Sequence, residues 1–411
     1  MYFSEYTDIL RHENKVILAN NENGMWMRIS EEVFGILQEF IRLSLKVRDI
    51  EEIFEDKNDA DFFMTVITQL VQMEIILEAA DTVKEKHKFI SYEMTNQCNL
   101  RCSHCCVDAG ESTGELVLDT DGSKNVLQKM AEWNPRSILL SGGEPMVRSD
   151  FFELVTHLRN IYDGNIILST NATLISSQNV DFLSRMINQF EISLDGIDEQ
   201  TCAQIRGKGV FSKVINSIKL LKKHGVQKIN LSMVISDKNE NLKEDFEKLN
   251  RELGTTPLFR QFSAVGRGKI NRKQFTDIDE DDVYIPSDYL SKEYHKTQQI
   301  CHCGAGKREI HIKSNGDVYP CVSYTGSKYK LGNLCMAEKI ADLTKNMFSI
   351  EQIYESERIK EANLDCKNCL VNIFCWTCPS VFYEITTIKA LKKNCEYIKP
   401  LLIQRVWGEK V

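Results

Sequence analysis

The sequence predicts an α/β protein: a parallel sheet of repeated strand-helix steps, preceded by a smaller domain and followed by a cysteine-rich one. Three observations predict it. Six β-rich runs alternate with amphipathic stretches over residues 88–270, a run of short strands followed by helical periodicity occupies 1–84, and cysteines crowd residues 300–400. The 411 residues are enough for two or three domains at roughly 150 residues each. With 42% hydrophobic and 27% charged residues and only 7 prolines, the composition excludes wholesale disorder and collagen-like repeats.

Net charge and apolar patterning narrow the partners. The chain carries 51 Lys+Arg against 59 Asp+Glu, a net charge of -8, which argues against a surface built for nucleic acid. No apolar run approaches the roughly 20 residues of a membrane span, and "MYFSEYTDIL" lacks the basic-then-apolar order of a signal peptide. A cytoplasmic location and no membrane partner are therefore expected. The chain has 14 cysteines, and a reducing compartment disfavours disulfides, so metal binding is the expectation for the clustered ones.

Taken in order, "TDILRHE", "KVILAN" and "WMRI" read as short strands. "SEEVFGILQEFIRL", "VRDIEEIFE" and "DADFFMTVITQLVQMEIIL" read as helices, the first with Ser30 as its N-cap. The pattern is that of a small winged helix-turn-helix unit. Lysine-rich "DTVKEKHK" then reads as a linker. "KFISYEMT", "SILLSG", "NIILST", "FEISLDG", "INLSMVIS" and "LFRQFSAVG" are the six strands, with helices such as "KNVLQKMAEW" and "FSKVINSIKLLKKHG" between them. Six such steps make a parallel sheet, doubly wound or part of a barrel, and either gathers ligands at the C-terminal ends of its strands. Charged "RKQFTDIDEDDVY" reads as a solvated linker, and "EIHIKSNGDVYPC" supplies strand pieces in the C-terminal zone.

Just after the first strand, Cys98, Cys102 and Cys105 stand in a C-x3-C-x2-C pattern, with Cys106 adjacent. Two chemistries compete for them. A structural zinc takes four closed ligands, with Cys106 or His104 as the fourth. An iron-sulfur cluster held by three thiolates leaves one iron free for a ligand. At the tip of the second strand stand Gly142, Gly143, Glu144 and Pro145. The two glycines allow close backbone approach and the carboxylate can accept from an ammonium group, although a plain turn uses the same residues. Ser169, Asn171, Ser193 and Asp195 at later strand ends suit ribose hydroxyls, and Arg206 adds a two-pronged cation. Further on, Cys303 is followed by x12-Gly316-x4-Cys321, then Cys366, Cys369, Cys375 and Cys378 form C-x2-C-x5-C-x2-C, and Cys395 closes the set. The two C-x2-C pairs alone would suit a zinc ribbon.

Together these motifs resemble the radical S-adenosylmethionine (SAM) family and its SPASM extension. The resemblance implies a partial (β/α)6 barrel in which Cys98, Cys102 and Cys105 hold a 4Fe-4S cluster whose open iron takes SAM. His104 would lie near the adenine, Gly142 to Pro145 at the SAM amine, Ser169, Asn171, Ser193 and Asp195 at the ribose, and Arg206 at the carboxylate. The family's His-Asp upstream of that arginine is replaced here by Cys202 and Ala203. In the extension, Cys366, Cys369, Cys375 and Cys395 would close one auxiliary 4Fe-4S cluster, and Cys303, Cys321 and Cys378 would hold the other, either completed by Cys301 or Cys335 or left with an iron open to a substrate thiolate. The last interval is x2 where the familiar pattern has x3.

Residues 1–84 resemble the PqqD-like leader-recognition domain of peptide maturases, which takes an unfolded leader as an added strand. The three zones together resemble a radical SAM/SPASM maturase of ribosomally made peptides, 1–84 binding the leader, 88–270 generating the radical and 300–400 carrying two auxiliary clusters. The resemblance implies cysteine thioether formation, with carbon-carbon crosslinking or another peptide oxidation as the alternative. It also implies a reductant such as flavodoxin or ferredoxin. From another class, a non-catalytic iron-sulfur sensor that reads DNA would share the cysteines but not the SAM rim. The sequence names no general base.

Overall fold

The structure, a computed structural model, describes residues 1–50, 52–78, 88–111, 116–285, 298–344 and 350–408. Apart from Lys88, the expected lysine-rich linker lies outside the described residues. The chain divides into two compact units: Met1–Glu85 with Asp279–Gly304 and Phe348–Val411, and Lys86–Ile278 with Ala305–Met347. The cysteine-rich segment is thereby shared between both.

In the first unit, strands β2 (Thr7–His12), β3 (Lys15–Asn20) and β4 (Trp26–Ser30) form an antiparallel sheet with β3 central, while β1 (Tyr2–Phe3) pairs with β5 (Ile76–Leu77). Ser30 ends β4 and caps helix α1 (Glu31–Arg42), its hydroxyl accepting from the Val33 amide at 3.2 Å. Helix α2 (Lys57–Gln72) follows. "VRDIEEIFE", expected as a helix, forms only a single 3-10 turn over Val47–Asp49 among the described residues. Beside the turn Ile50 is fully buried, and Val47 and Phe54 pack against the same core.

Strand β3 is buried on both faces. Val16 and Leu18 pack with Phe34, Leu37 and Phe63 of the helices, whereas Ile17 and Ala19 pack with Ile300, Phe374, Leu402 and Trp407 from the C-terminal segment. Trp26 meets Phe374 edge-on at 5.0 Å and donates its indole N–H to the Gln298 carbonyl at 2.8 Å. The N-terminal sheet and the C-terminal helix Ile388–Trp407 thus share one core.

The second unit is built on strands β6 (Phe89–Thr95), β7 (Ser137–Gly142), β8 (Asn165–Thr170), β9 (Gln189–Ser193), β10 (Ile229–Ile235) and β11 (Thr256–Gln261). Between them run α3 (Thr120–Glu132), α4 (Phe151–Ile161), α5 (Val180–Met186), α6 (Glu199–Arg206), α7 (Val210–Lys223) and α8 (Lys243–Leu253). All six strands are parallel and lie in chain order, and β12 (Glu309–Ile312) adds in parallel beside β6, followed by antiparallel β13 (Asp317–Tyr319) and β14 (Gly332–Asn333). A doubly wound sheet reverses its strand order; this one does not, which is the winding of a barrel.

Alternation along the strands sorts their two faces. Ile90, Tyr92, Met94, Ile138, Leu140, Ile166, Leu168, Phe190 and Ile192 join the helices in one core. The opposite face of β6, β9 and β10 carries Ser91, Glu93, Glu191, Ser193 and Ser232. "RKQFTDIDEDDVY" departs from a solvated linker: Arg272–Phe275 is helical, Phe275 is buried, and Asp281 and Asp282 pair with Lys389 and Lys393 at 3.2 and 2.9 Å. Among the described residues no helix is long and apolar enough to cross a membrane.

Candidate functional site

The predicted SAM-site residues converge at the C-terminal ends of β6 to β9. Leaving β6, the chain turns through Cys98, Cys102 and Cys105, and Cys102 and Cys105 both act electrostatically on Cys98. Each sulfur has a defined hydrogen-bond environment. Cys98 Sγ accepts from the Leu100 amide at 3.4 Å and faces the Asn171 amide group at 3.8 Å; Cys105 Sγ accepts from the Ala109 amide at 3.3 Å; Cys102 Sγ lies 3.6 Å from Arg206 Nη1. Burial pushes the Cys98 thiol up to about 11, a penalty on the thiolate that a bound metal's charge offsets.

Backbone contact holds the second strand's tip against this turn. The Gly143 and Glu144 amides donate to the Thr95 and Gln97 carbonyls at 2.7 and 2.8 Å. A Cβ at Gly142 would overlap the Thr95 carbonyl and one at Gly143 the Gln97 carbonyl, and Gly142 stands at φ +135°. The glycines are therefore required by the close approach of two strand ends. Pro145, buried, opens the 3-10 turn that follows.

Glu144 has no exposed surface. Its Oε1 accepts from the Thr170 hydroxyl at 2.8 Å and the Met146 amide at 3.2 Å, and its Oε2 from Thr170 at 2.9 Å and the Asn171 amide at 2.7 Å. Burial still pushes its carboxyl up to about 7, against the lowering effect of those donors. Asn171 is also buried and donates to Asn99 Oδ1 at 2.9 Å, tying the third strand's end to the cysteine turn. Ser169 stands half-buried on β8, and Ser193 on β9 lies 3.5 Å from the Ser232 hydroxyl.

Asp195 organises the fourth strand's end. Its Oδ2 receives Arg206 Nε at 2.7 Å, Arg206 Nη2 at 2.5 Å and His104 Nε2 at 2.5 Å, while Oδ1 accepts from the Val234 amide at 2.6 Å. Burial alone would raise this carboxyl, but Arg206 and His104 hold it well below the usual carboxylate range. Arg206 thus links Asp195 to the Cys102 sulfur, and His104 reaches the same carboxylate from the cysteine turn. The replacement of the family's upstream pair by Cys202 and Ala203 leaves this geometry intact, Cys202 being buried with its thiol 3.1 Å from the Leu194 carbonyl.

Sequence reasoning missed the segment after β11. Arg267, buried, donates from Nη1 to the Cys102 carbonyl at 2.8 Å and from Nη2 to the Ala109 carbonyl, and its own amide donates to the Cys105 carbonyl at 2.9 Å. Asn271 donates to the Ser103 carbonyl at 2.9 Å, and Phe275 stacks on Phe262 and lies 5.8 Å from the His104 ring. The signal was available: "AVGRGK" puts glycines and a cation at the end of the sixth strand, on the rim already assigned to ligands.

In the C-terminal segment, Cys366, Cys369, Cys375 and Cys395 all lie in the first unit, and the other three act electrostatically on Cys375. Cys301, Cys303 and Cys378 also lie in the first unit, the latter two acting on Cys301. Cys321 and Cys335 belong to the second unit, where Cys335 Sγ packs beside Gly316. Among the described residues no three His, Cys, Asp or Glu side chains converge as ligands of a single ion.

Comparison with known proteins agrees with this geometry. Residues 92–249 match the Radical SAM superfamily and residues 301–379 the SPASM iron-sulfur cluster-binding domain. The mycofactocin maturase MftC of Mycolicibacterium smegmatis is 25% identical over 301 residues, 68% of this chain and 74% of that protein. An AdoMet-dependent heme synthase of Methanosarcina barkeri is 30% identical over 206 residues, 49% of this chain and 55% of that protein. In fold, the chain is similar to Streptococcus suis SuiB bound to S-adenosylmethionine, with a TM-score of 0.57 and 16% identity over 95% of this chain and 98% of that one. It is also similar to SuiB bound to its precursor peptide SuiA, at 0.55 and 15% over 91% and 94%. The chain therefore has the radical SAM fold, a mostly parallel α/β sheet joined to a C-terminal SPASM iron-sulfur domain.

Proposed function

We propose that this chain is a radical SAM enzyme that oxidatively modifies a ribosomally made precursor peptide, forming a thioether between a cysteine sulfur and a carbon of another residue. The observation that carries the radical chemistry is the meeting of Cys98, Cys102 and Cys105 with Glu144, Asn171, Asp195 and Arg206 on one strand-end rim. Three thiols, each with at least one hydrogen-bond donor at its sulfur, fit a 4Fe-4S cluster, which when bound with SAM supplies a 5′-deoxyadenosyl radical. Around it, His104 and Phe275 offer an aromatic wall for the adenine, Gly142 to Pro145 the amine site, Ser169, Asn171, Ser193 and Asp195 the ribose site, and Arg206 the carboxylate contact. Arg267 and Asn271 hold the cysteine turn in place by its carbonyls.

In this reading the protein binds three 4Fe-4S clusters. Cys366, Cys369, Cys375 and Cys395 hold one auxiliary cluster, and Cys303, Cys321 and Cys378 the other. The electrostatic reach of Cys303 and Cys378 to Cys301 supports Cys301 as that cluster's fourth ligand. With all four corners taken by thiolates of this chain, such a cluster when bound would leave no iron free for the substrate sulfur and would serve as an electron acceptor. A flavodoxin or ferredoxin supplies the reducing electron. Peptide binding is supported by the first unit, where among the described residues β2 and β4 pair only with β3 and each keeps an open edge. A leader adds to such an edge as an extra strand. The likeness to MftC and to SuiB in complex with SuiA points the same way.

The test is co-expression with each short reading frame beside the gene, followed by mass spectrometry. Thioether formation predicts a peptide lighter by two hydrogens per link whose cysteines resist alkylation. A lighter peptide with every cysteine still alkylatable would move the proposal to carbon-carbon crosslinking. Replacing Cys98, Cys102 and Cys105 by alanine should abolish deoxyadenosine release and remove about a third of the iron; continued release would overturn the assignment.

A further inference from the structure

Strands β6 and β12 run parallel, with His311 in register with Ser91. Their residues Ile90, Tyr92, Met94, Ile310 and Ile312 face the helices and form the apolar core. Alternation therefore turns Ser91, Glu93 and His311 to the helix-free face. There His311 Nδ1 lies 3.3 Å from the Ser91 hydroxyl and His311 Nε2 lies 3.8 Å from Glu93 Oε2. Glu93 is 3% and His311 5% exposed. Burying two polar side chains together costs desolvation that apolar residues would avoid, so packing alone does not account for the pair.

The pair also stands near the reaction site. Glu93 acts electrostatically on Cys106, the residue directly after the cluster cysteine Cys105. Cys106 is solvent-exposed, and Ser141, in register with Glu93 on the same face of β7, is half-buried, so this face is not sealed. Arg260, on the same face at β11, also acts on Cys106 and is itself paired with Glu191 at 2.6 Å. Glu191 is thereby committed to a cation, whereas among the described residues Glu93 is paired only with the histidine. Elsewhere on the rim, Glu144 is held by three donors, the Thr170 hydroxyl and the Met146 and Asn171 amides, and Asp195 by Arg206 and His104.

We propose that Glu93 is the proton acceptor of the peptide-modifying step and that His311, held by Ser91, is its positioning partner; this rests on the peptide-modifying reading above. The balance requires such a group. Closing a thioether breaks one C–H and one S–H bond and forms one C–S bond. The carbon's hydrogen leaves as an atom to the deoxyadenosyl radical, the sulfur's leaves as a proton to Glu93, and the one remaining electron passes to an oxidised iron-sulfur cluster of the SPASM domain. A carbon-carbon link sheds one hydrogen atom, one proton and one electron in the same way, so the assignment does not depend on which bond is made.

The experiment compares wild type with Glu93→Gln, Glu93→Ala and His311→Asn, all reconstituted with iron and sulfide, on the flanking-gene peptide that the wild type converts in co-expression. The readout is crosslinked product per deoxyadenosine released, with iron content and circular dichroism as controls for folding. Loss of a general base predicts a fall on the order of 10²-fold in that ratio for Glu93→Gln, a smaller fall for His311→Asn, and partial recovery of Glu93→Ala by added formate. A structural role would not be rescued by formate. A Glu93→Gln enzyme that couples product to deoxyadenosine as well as the wild type overturns the assignment, and so does a folded Glu93→Ala enzyme that formate fails to restore. A wild type that releases deoxyadenosine but converts no peptide overturns the peptide reading itself, a different result from a competent variant.

Discussion

Glu144 accepts four hydrogen bonds from Thr170, Met146 and Asn171 while burial raises its carboxyl to about 7. A carboxyl raised on folding binds more protons in the native state than in the unfolded one between its ordinary value of 4.5 and 7. Its contribution is therefore complete below pH 4.5 and is lost as pH rises through 7. Gln at this position does not titrate, so the stability of Glu144→Gln relative to wild type should rise by ~3 kcal/mol across that window in the cluster-free protein. Urea midpoints at several pH values measure it, and a flat difference would contradict it. The neighbouring glycines allow a second comparison. Gly142→Ala meets both a positive φ and the Thr95 carbonyl, whereas Gly207→Ala meets a positive φ with nothing within 4 Å. Gly142→Ala should be the more destabilising by about 1–3 kcal/mol in denaturant unfolding. The glycines and Glu144 were legible in "SGGEP" because close approach and charge are local properties. Thr170, which fills the carboxylate, was not, because nothing in "ST" says which strand end it will face.

Strand β3 decides how the N-terminal region can be studied. Read along the chain, residues 1–84 look separable, yet Ile17 and Ala19 bury a face against Ile300, Phe374, Leu402 and Trp407. Deleting 1–84 should expose those residues and yield an aggregation-prone protein, so loss of peptide binding on deletion would not by itself identify a leader site. Trp26→Ala removes an indole packed on Phe374 and bonded to Gln298, and should destabilise the first unit by about 3–5 kcal/mol; a change in the unfolding midpoint worth less than 1 kcal/mol would show that this core is not shared as described. Substitutions on the outward side of β2, such as Ile9→Lys at an exposed apolar position, leave the core alone. They are the better probes of peptide addition.

At the scale of the molecule, the division into two units cuts through the cysteine-rich segment. The four cysteines 366, 369, 375 and 395 fall wholly within the first unit, and the rim that would hold SAM falls wholly within the second. Replacing Cys366 and Cys369 by alanine should therefore remove about a third of the iron while leaving SAM binding by equilibrium dialysis unchanged. Loss of SAM binding in that variant would show that the rim depends on the auxiliary cluster. Among the described residues the sheet of the second unit pairs continuously from β11 to β14.

The sequence by itself determined the alternation of strand and helix, the position of each cysteine set and the strand-end rim proposed for the site, because periodicity and motif spacing are properties of neighbouring residues. It also determined the N-cap at Ser30 and the turn glycines for the same reason. Only the tertiary structure decided that "VRDIEEIFE" gives a 3-10 turn and not a helix, since burial of Ile50 outweighs local propensity. Only the structure showed that Arg267, 162 positions beyond Cys105, holds the cysteine turn, that Asp195 is shared by Arg206 and His104, and that Glu93 and His311 meet on adjoining strands. Each of those contacts joins residues far apart in the chain, and such pairings are set by strand order and register, which no local pattern encodes.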